Sequence, residues 1–297
     1  MISTLIKYFK KVLILLLINA MVITGYTGTS FADYSENSDR PVDIVIRAGE
    51  WGNESTAKPG KRYCWGQDIN ISQHGISVKD IPSDIPLRKE NNQWFISEFD
   101  INLKLAKAIA KKLDSKYNVD VNLQYAKDKT QDLNAAGRIA RRSNPKIYLS
   151  VHHNSYKEDS TGYFIMSNQG DTKSAEYAKV LSKSFKDNGM IPQRSNRIND
   201  GYIGELNEAG KSIPICILGE FGFFNKSEIV KICSDEYVNY VSDKVAESLY
   251  HQLQNMKNED YKTSKDVINI VRDNHKQKEV VVKFGNPNEE VVNIRFE

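Results

Sequence analysis

The chain has 297 residues, 40% hydrophobic and 27% charged, with a formal net charge of +3. That length allows one large domain or one domain with an appendage, and a charge so near balance offers no electrostatic case for a nucleic-acid partner. Three cysteines (Cys64, Cys216 and Cys233) lie far apart and form no CxxC pair, which excludes a disulfide scaffold and a cysteine metal cluster.

The first elements are a leader and a lead-in. Lys7, Lys10 and Lys11 precede an apolar run over 12–23 broken only by Asn19, and Ser30-Phe31-Ala32 follows. A basic region, an apolar region and a small-x-small ending predict a secretory signal peptide over 1–32. The run is short for a transmembrane span, which needs about 20 residues. Cleavage after Ala32 would remove three lysines and no acid, taking the formal charge from +3 to 0. Residues 33–41 read as a polar, unstructured lead-in. "VDIVIRAG" (42–49) reads as a strand closed by a glycine turn. An insertion over about 53–97 holds Pro59, Pro82 and Pro86 and shows no sustained period. It reads as a long loop, of the kind that is usually functional or mobile.

Regular alternation follows. "SEFDINLKLAKAIAKKLDSKY" has the apolar spacing of an amphipathic helix. "VDVNLQYA" is a strand, "DLNAAGRIARRS" a helix, and "KIYLSVHHN" and "GYFIMSN" are strands. "TKSAEYAKVLSKSFKDNG" is a helix with a glycine stop, "IPICILGEFGFF" a very apolar strand, and "SDEYVNYVSDKVAESLYHQLQNM" a closing helix. The pattern predicts an α/β domain over 42–257, with a largely parallel (mixed) central sheet flanked by helices. Residues 258–297 form a C-terminal extension in which "EVVVKFGNPNEEVVNIRF" reads as a β-hairpin. A lone hairpin is marginal in water, so it is expected to pair with the main sheet, a protein partner or another copy of the chain (self-association).

Ligands of open α/β sheets bind outside the carboxyl ends of the strands. Here those ends carry Glu50, His152, His153 and Glu220, and Glu98 opens the amphipathic helix. Each has a bland explanation taken singly. Glu98 suits a first helical turn, Glu50 could be solvated in its turn, and either histidine could be structural. Glu220 closes an apolar run and needs a partner, or its pKa rises. Together they predict a mononuclear metal site with a spare carboxylate. Strand alternation puts Tyr148, Ser150 and His152 on one face and Ile147, Leu149, Val151 and His153 on the other. Only one of the two histidines can therefore serve the site. Asn154, Ser155 and Arg138 are candidates for the rim, and Tyr63, Trp65 and Trp94 for stacking on sugars.

Four segments, "RAGEWG" (47–52), "EFDINL" (98–103), "SVHHN" (150–154) and "EFGFFN" (220–225), resemble in order the motifs of the zinc-dependent N-acetylmuramoyl-L-alanine amidases, amidase type 3. The resemblance spans about 42–256. It implies a peptidoglycan hydrolase that cleaves the amide between N-acetylmuramic acid and L-alanine, secreted to the cell wall, with Zn2+ as cofactor. By that resemblance His152 and Glu98 are metal ligands, His153 is the variable neighbour, and Glu220 is the catalytic carboxylate that serves as base and then acid. The zinc would polarise the carbonyl and acidify water.

The first segment departs from the family pattern. Glu50 stands where the family has its first ligand histidine, and Arg47 replaces the leading aspartate. Three outcomes follow. Glu50 itself completes a Glu-Glu-His site; His74 folds back from the insertion; or the site is inactive and the domain is a cell-wall-binding or regulatory pseudo-amidase. The first is the expectation, with weaker zinc affinity and a more alkaline optimum than a His-Glu-His site. A metal-free glycosidase using Glu98 and Glu220 is a competing class. A zinc peptidase is disfavoured because H-E-x-x-H is missing.

Overall fold

A computed structural model describes residues 35–51, 68–126, 133–155, 159–187, 202–273, 279–282 and 292–295. The signal peptide expected over 1–32, and Tyr63, Cys64 and Trp65, lie outside the described residues. In chain order the elements begin with β1 (Ser35–Glu36), β2 (Ile44–Trp51), β3 (Asp68–Asn70), β4 (Arg88–Glu90), β5 (Gln93–Ser97) and helix α1 (Glu98–Tyr117). Strand β6 (Val121–Ala126), helix α2 (Leu133–Ala140), β7 (Ile147–Asn154), β8 (Phe164–Ser167) and α3 (Thr172–Asp187) follow. Then come α4 (Gly204–Ala209), β9 (Ile215–Phe223), α5 (Ile229–Cys233), α6 (Asp235–Asp273), β10 (Glu279–Val282) and β11 (Val292–Arg295).

The main sheet has the order β1-β6-β2-β7-β9-β8. Every neighbouring pair is parallel except the edge pair β8–β9, so the sheet is the largely parallel, mixed one expected. Strands β2, β7 and β9 are largely apolar and buried over nearly their whole length, as strands covered on both faces are. Register fixes what each face carries. Arg47 pairs with Ser150, which pairs with Leu218, and His152 pairs with Glu220. Val45, Tyr148, Cys216 and Leu218 share a buried cluster with Leu206 and Ala209 of α4. His153 lies on the opposite face, where its ring meets Asn102 of α1.

Helix α1 buries Ile101, Leu105, Ala106, Ile109, Ala110 and Leu113, the stripe that its spacing marks. It stops at Asn118, which takes a left-handed φ of 52°. The Val119 N–H closes back on the Leu113 carbonyl at 3.0 Å, a helix ending that asparagine accommodates.

Three regions differ from the sequence reading. The insertion is folded: β3, β5 and β4 form an antiparallel sheet over buried Ile71, Ile81, Ile85, Phe95 and Ile96. Its strands are too short for alternation to show. The lead-in supplies the two-residue edge strand β1, whose residues pair with Asn122 and Leu123. Helix α6 runs on to Asp273, beyond the expected stop near Met256.

The chain divides into two compact units, Met1–Ser248 and Leu249–Glu297. The second contains the paired strands β10 and β11, antiparallel from Glu279–Arg295 to Val282–Val292; the residues joining them lie outside the described residues. Among the described residues, no helix is long and apolar enough to cross a membrane.

Candidate metal centre

Three ligand-type side chains converge beyond the carboxyl ends of the central strands. Glu50 comes from the end of β2, His152 from the end of β7 and Glu98 from the first turn of α1. One ligand atom of each lies within 4.8 Å of the others, and all three residues are buried. His152 Nδ1 is 3.5 Å from Glu50 Oε1 and 3.8 Å from Glu98 Oε1.

Local backbone explains how Glu50 reaches the site. The β2–β7 ladder stops at Ala48–Val151, and the β2–β6 pairing slips between Arg47 and Trp51. Inside that irregularity Glu50 adopts φ 62°, a left-handed conformation that costs a non-glycine residue about 1–3 kcal/mol. Such bulges re-aim side chains near functional sites. Gly49 lets the chain pass close to the ring: a Cβ there would come within 2.3 Å of the His152 imidazole.

Glu98 is held from two sides. Asn102, one turn along α1, donates Nδ2–H to Glu98 Oε1 at 3.2 Å and to the Gly49 carbonyl at 3.4 Å. The backbone N–H of His153 donates to Glu98 Oε1 at 3.3 Å. His153 itself turns away, its Nδ1 2.8 Å from Asn102 Oδ1, and burial, with neighbouring His152 adding, lowers it to about 3. It is a neutral structural neighbour on the face opposite His152.

Glu220 sits beside His152 in register, so the two side chains share one face. Its Oε2 is buried with no hydrogen-bond partner among the described residues. Burial raises this carboxyl to about 8; Glu98, Glu50 and Glu205 push the same way and His152 opposes them. Burial raises Glu50 too, against the pull of His152. Burial disfavours the His152 cation, but Glu205, Glu50 and Glu98 outweigh it and the pKa rises well above the ordinary value.

Glu205 was not legible in the sequence. It lies in α4, is 0% exposed, and its Oε2 accepts from Arg47 Nη1 at 2.6 Å and Tyr148 Oη at 3.1 Å. Burial would raise it; Arg47, followed by His152, wins and lowers it to about 2. A six-residue helix gives no periodic signal. The available clue was Arg47: a guanidinium inside an apolar strand demands a buried carboxylate.

The donor set suits a cation. Two carboxylates and one imidazole are ordinary zinc ligands, and three leave a position open for chemistry. Glu50 Oε2 is buried without a hydrogen-bond partner among the described residues, a cost that a positive ion would relieve. His74 occupies the turn after β3 and is not a member of the cluster.

Comparison with known proteins agrees with the fold. The family model described as N-acetylmuramoyl-L-alanine amidase matches residues 89–283; the match begins after β2, so Glu50 falls outside it. No curated protein matches the chain. Among solved structures, the apo form of the amidase Ami1 from Mycobacterium abscessus aligns with TM-score 0.51 at 14% identity, covering 72% of this chain and 99% of that one. The catalytic domain of CwlV from Bacillus (Paenibacillus) polymyxa aligns with TM-score 0.50 at 20% identity, covering 72% and 98%. The CwlD amidase of Clostridioides difficile, solved with the GerS lipoprotein, gives TM-score 0.50 at 17% identity, covering 72% and 99%.

Proposed function

The chain belongs to the N-acetylmuramoyl-L-alanine amidase family, enzymes that hydrolyse peptidoglycan, and on that premise we propose that Glu50, Glu98 and His152 hold its Zn2+ and Glu220 moves the proton. The observation that carries this reading is the convergence of those three ligand atoms within 4.8 Å. Bound there, zinc would polarise the scissile carbonyl and acidify water.

The chain's own residues do the rest. Asn102 and the His153 N–H fix the Glu98 carboxylate, leaving it little rotational freedom. Glu220 accepts the proton of the attacking water and returns it to the departing amine of L-alanine. Without metal its carboxyl is raised to about 8, a bound cation would draw it down toward neutrality, and a group that must take and give a proton works best with a pKa near the working pH. A carboxylate whose Oε2 has no hydrogen-bond partner among the described residues can receive that proton.

The family acts on cell wall, and we read residues 1–32 as the leader that carries the enzyme there. The substrate is then the amide between the lactyl group of N-acetylmuramic acid and L-alanine. The test is release of N-terminal L-alanine from purified peptidoglycan. Release that stops with chelator, returns with zinc and is lost in Glu220→Gln is the expected result. Chelator-resistant release of reducing sugar would support a glycosidase, and wall binding without any release would support the pseudo-amidase.

A further inference from the structure

The His152 nitrogen that faces away from Glu50 and Glu98 has two polar neighbours. Nε2 lies 3.1 Å from Ser150 Oγ and 3.5 Å from Glu205 Oε1. A neutral imidazole has one N–H donor and one acceptor nitrogen. If Nδ1 is to offer its lone pair toward Glu50 and Glu98, the proton must stay on Nε2. Ser150 cannot enforce this, because a hydroxyl donates to a bare nitrogen as readily as it accepts from a protonated one. An ionised carboxylate only accepts, so Glu205 can decide between the two forms.

The geometry around Glu205 fits that task. Its Oε2 is taken by Arg47 and Tyr148. Its Oε1 is buried, has no hydrogen-bond partner among the described residues, and lies 3.5 Å from His152 Nε2. Arg47 is 1% exposed and Glu205 0% exposed, so the carboxylate cannot turn to water. Its backbone is fixed as well: α2 passes so close that a Cβ on Gly137 would strike the Glu205 carbonyl and come within 2.7 Å of the Ala209 nitrogen.

We propose that Glu205 is a positioning residue that, locked by Arg47 and Tyr148, captures the Nε2–H of His152 and so makes Nδ1 the metal-binding nitrogen. This rests on the assignment of Glu50, Glu98 and His152 as the zinc ligands. Partners of this kind orient a ligating imidazole, and their loss typically weakens metal binding 10–100-fold.

The test is a zinc titration against a competing chelator, on the purified protein, with His152→Ala as reference. Removing Glu205 alone would strand a buried guanidinium, so the main variant is Arg47→Met with Glu205→Leu. Taking away both charges together is often tolerated by a fold. A second variant, Glu205→Asp, keeps the charge for Arg47 and withdraws Oε1 from the ring by one methylene. The expected result is about 10–100-fold weaker zinc binding in the double variant and a smaller loss in Glu205→Asp. In zinc-loaded wild type, 15N-edited NMR should show a slowly exchanging His152 Nε2–H that the double variant lacks. Wild-type affinity with that proton still protected would overturn the proposal, since a purely structural ion pair would give that outcome. Should the double variant not fold, wild-type affinity in Glu205→Asp overturns it alone. Unchanged zinc affinity in His152→Ala would refute the ligand assignment, and the proposal with it.

Discussion

At the scale of residues, the centre is assembled by groups in costly states. Glu50 holds a left-handed backbone, and Glu220 is a half-buried residue whose carboxyl, with Oε2 shielded from water, is lifted to about 8. An unfolded glutamate titrates near about 4.3, so across that interval the folded protein keeps a proton that the unfolded chain has lost. The contribution of Glu220 to stability therefore falls as pH rises from about 4.3 to about 8. Glu220→Gln should raise the Tm of the metal-free protein at pH 8, with a gap that narrows toward pH 5, while abolishing hydrolysis. Scanning calorimetry at the two pH values checks it; an equal or lower Tm at pH 8 would speak against a strained carboxyl. Gly49→Ala should displace the His152 ring, weaken zinc binding and cost about 1–3 kcal/mol, the usual penalty for overpacking. Glu50, Glu98, His152 and Glu220 could be picked out from sequence because strong ligand types ended apolar strands or opened a helix. The two-residue period of a strand said that only one of His152 and His153 serves the site; that it is His152 came from the family resemblance. Glu205 could not be found that way, since its role depends on α4 lying over the face that carries Arg47 and His152.

At the scale of elements, the same short helix is the sensitive part. Helix α4 is reached through the close approach of α2 at Gly137, where an added Cβ meets backbone rather than a yielding side chain. Gly137→Ala should therefore push α4 outward and carry Glu205 with it. The expected outcome is a loss of about 1–3 kcal/mol in urea unfolding, together with weaker zinc binding, although residue 137 is in none of the metal-site motifs. A stability loss without any change in zinc affinity would separate α4 from the site. The long elements were readable because their apolar periods run for many residues, as in α1 and β9. The insertion sheet, with strands of three, three and five residues, carries too few positions for a period. Its buried Ile71, Ile81 and Ile85 come from turns and connecting segments, where pattern gives no guide.

At the scale of the whole molecule, the three proposed ligands come from β2, α1 and β7, elements separated in sequence and brought together by the parallel sheet and the packing of α1 against it. A cation that binds all three binds the folded chain and has no comparable site in the unfolded one. Zinc at a hundredfold over its Kd should then add about 2.7 kcal/mol of stability, a Tm rise of roughly 5–10 °C for a unit of this size, reversed by chelator. A Tm that ignores zinc would remove the cation from the folded state. In the proposed site Glu50 ligates the metal where the resembling family has a histidine. The most direct test of that ligation is a crystal structure of the zinc-loaded protein with anomalous scattering measured at the zinc edge. The expected result is one peak bound by Glu50, Glu98 and His152 Nδ1, with Glu220 beside it and unligated. A peak held by His74 or by other residues, with Glu50 turned away, would contradict it.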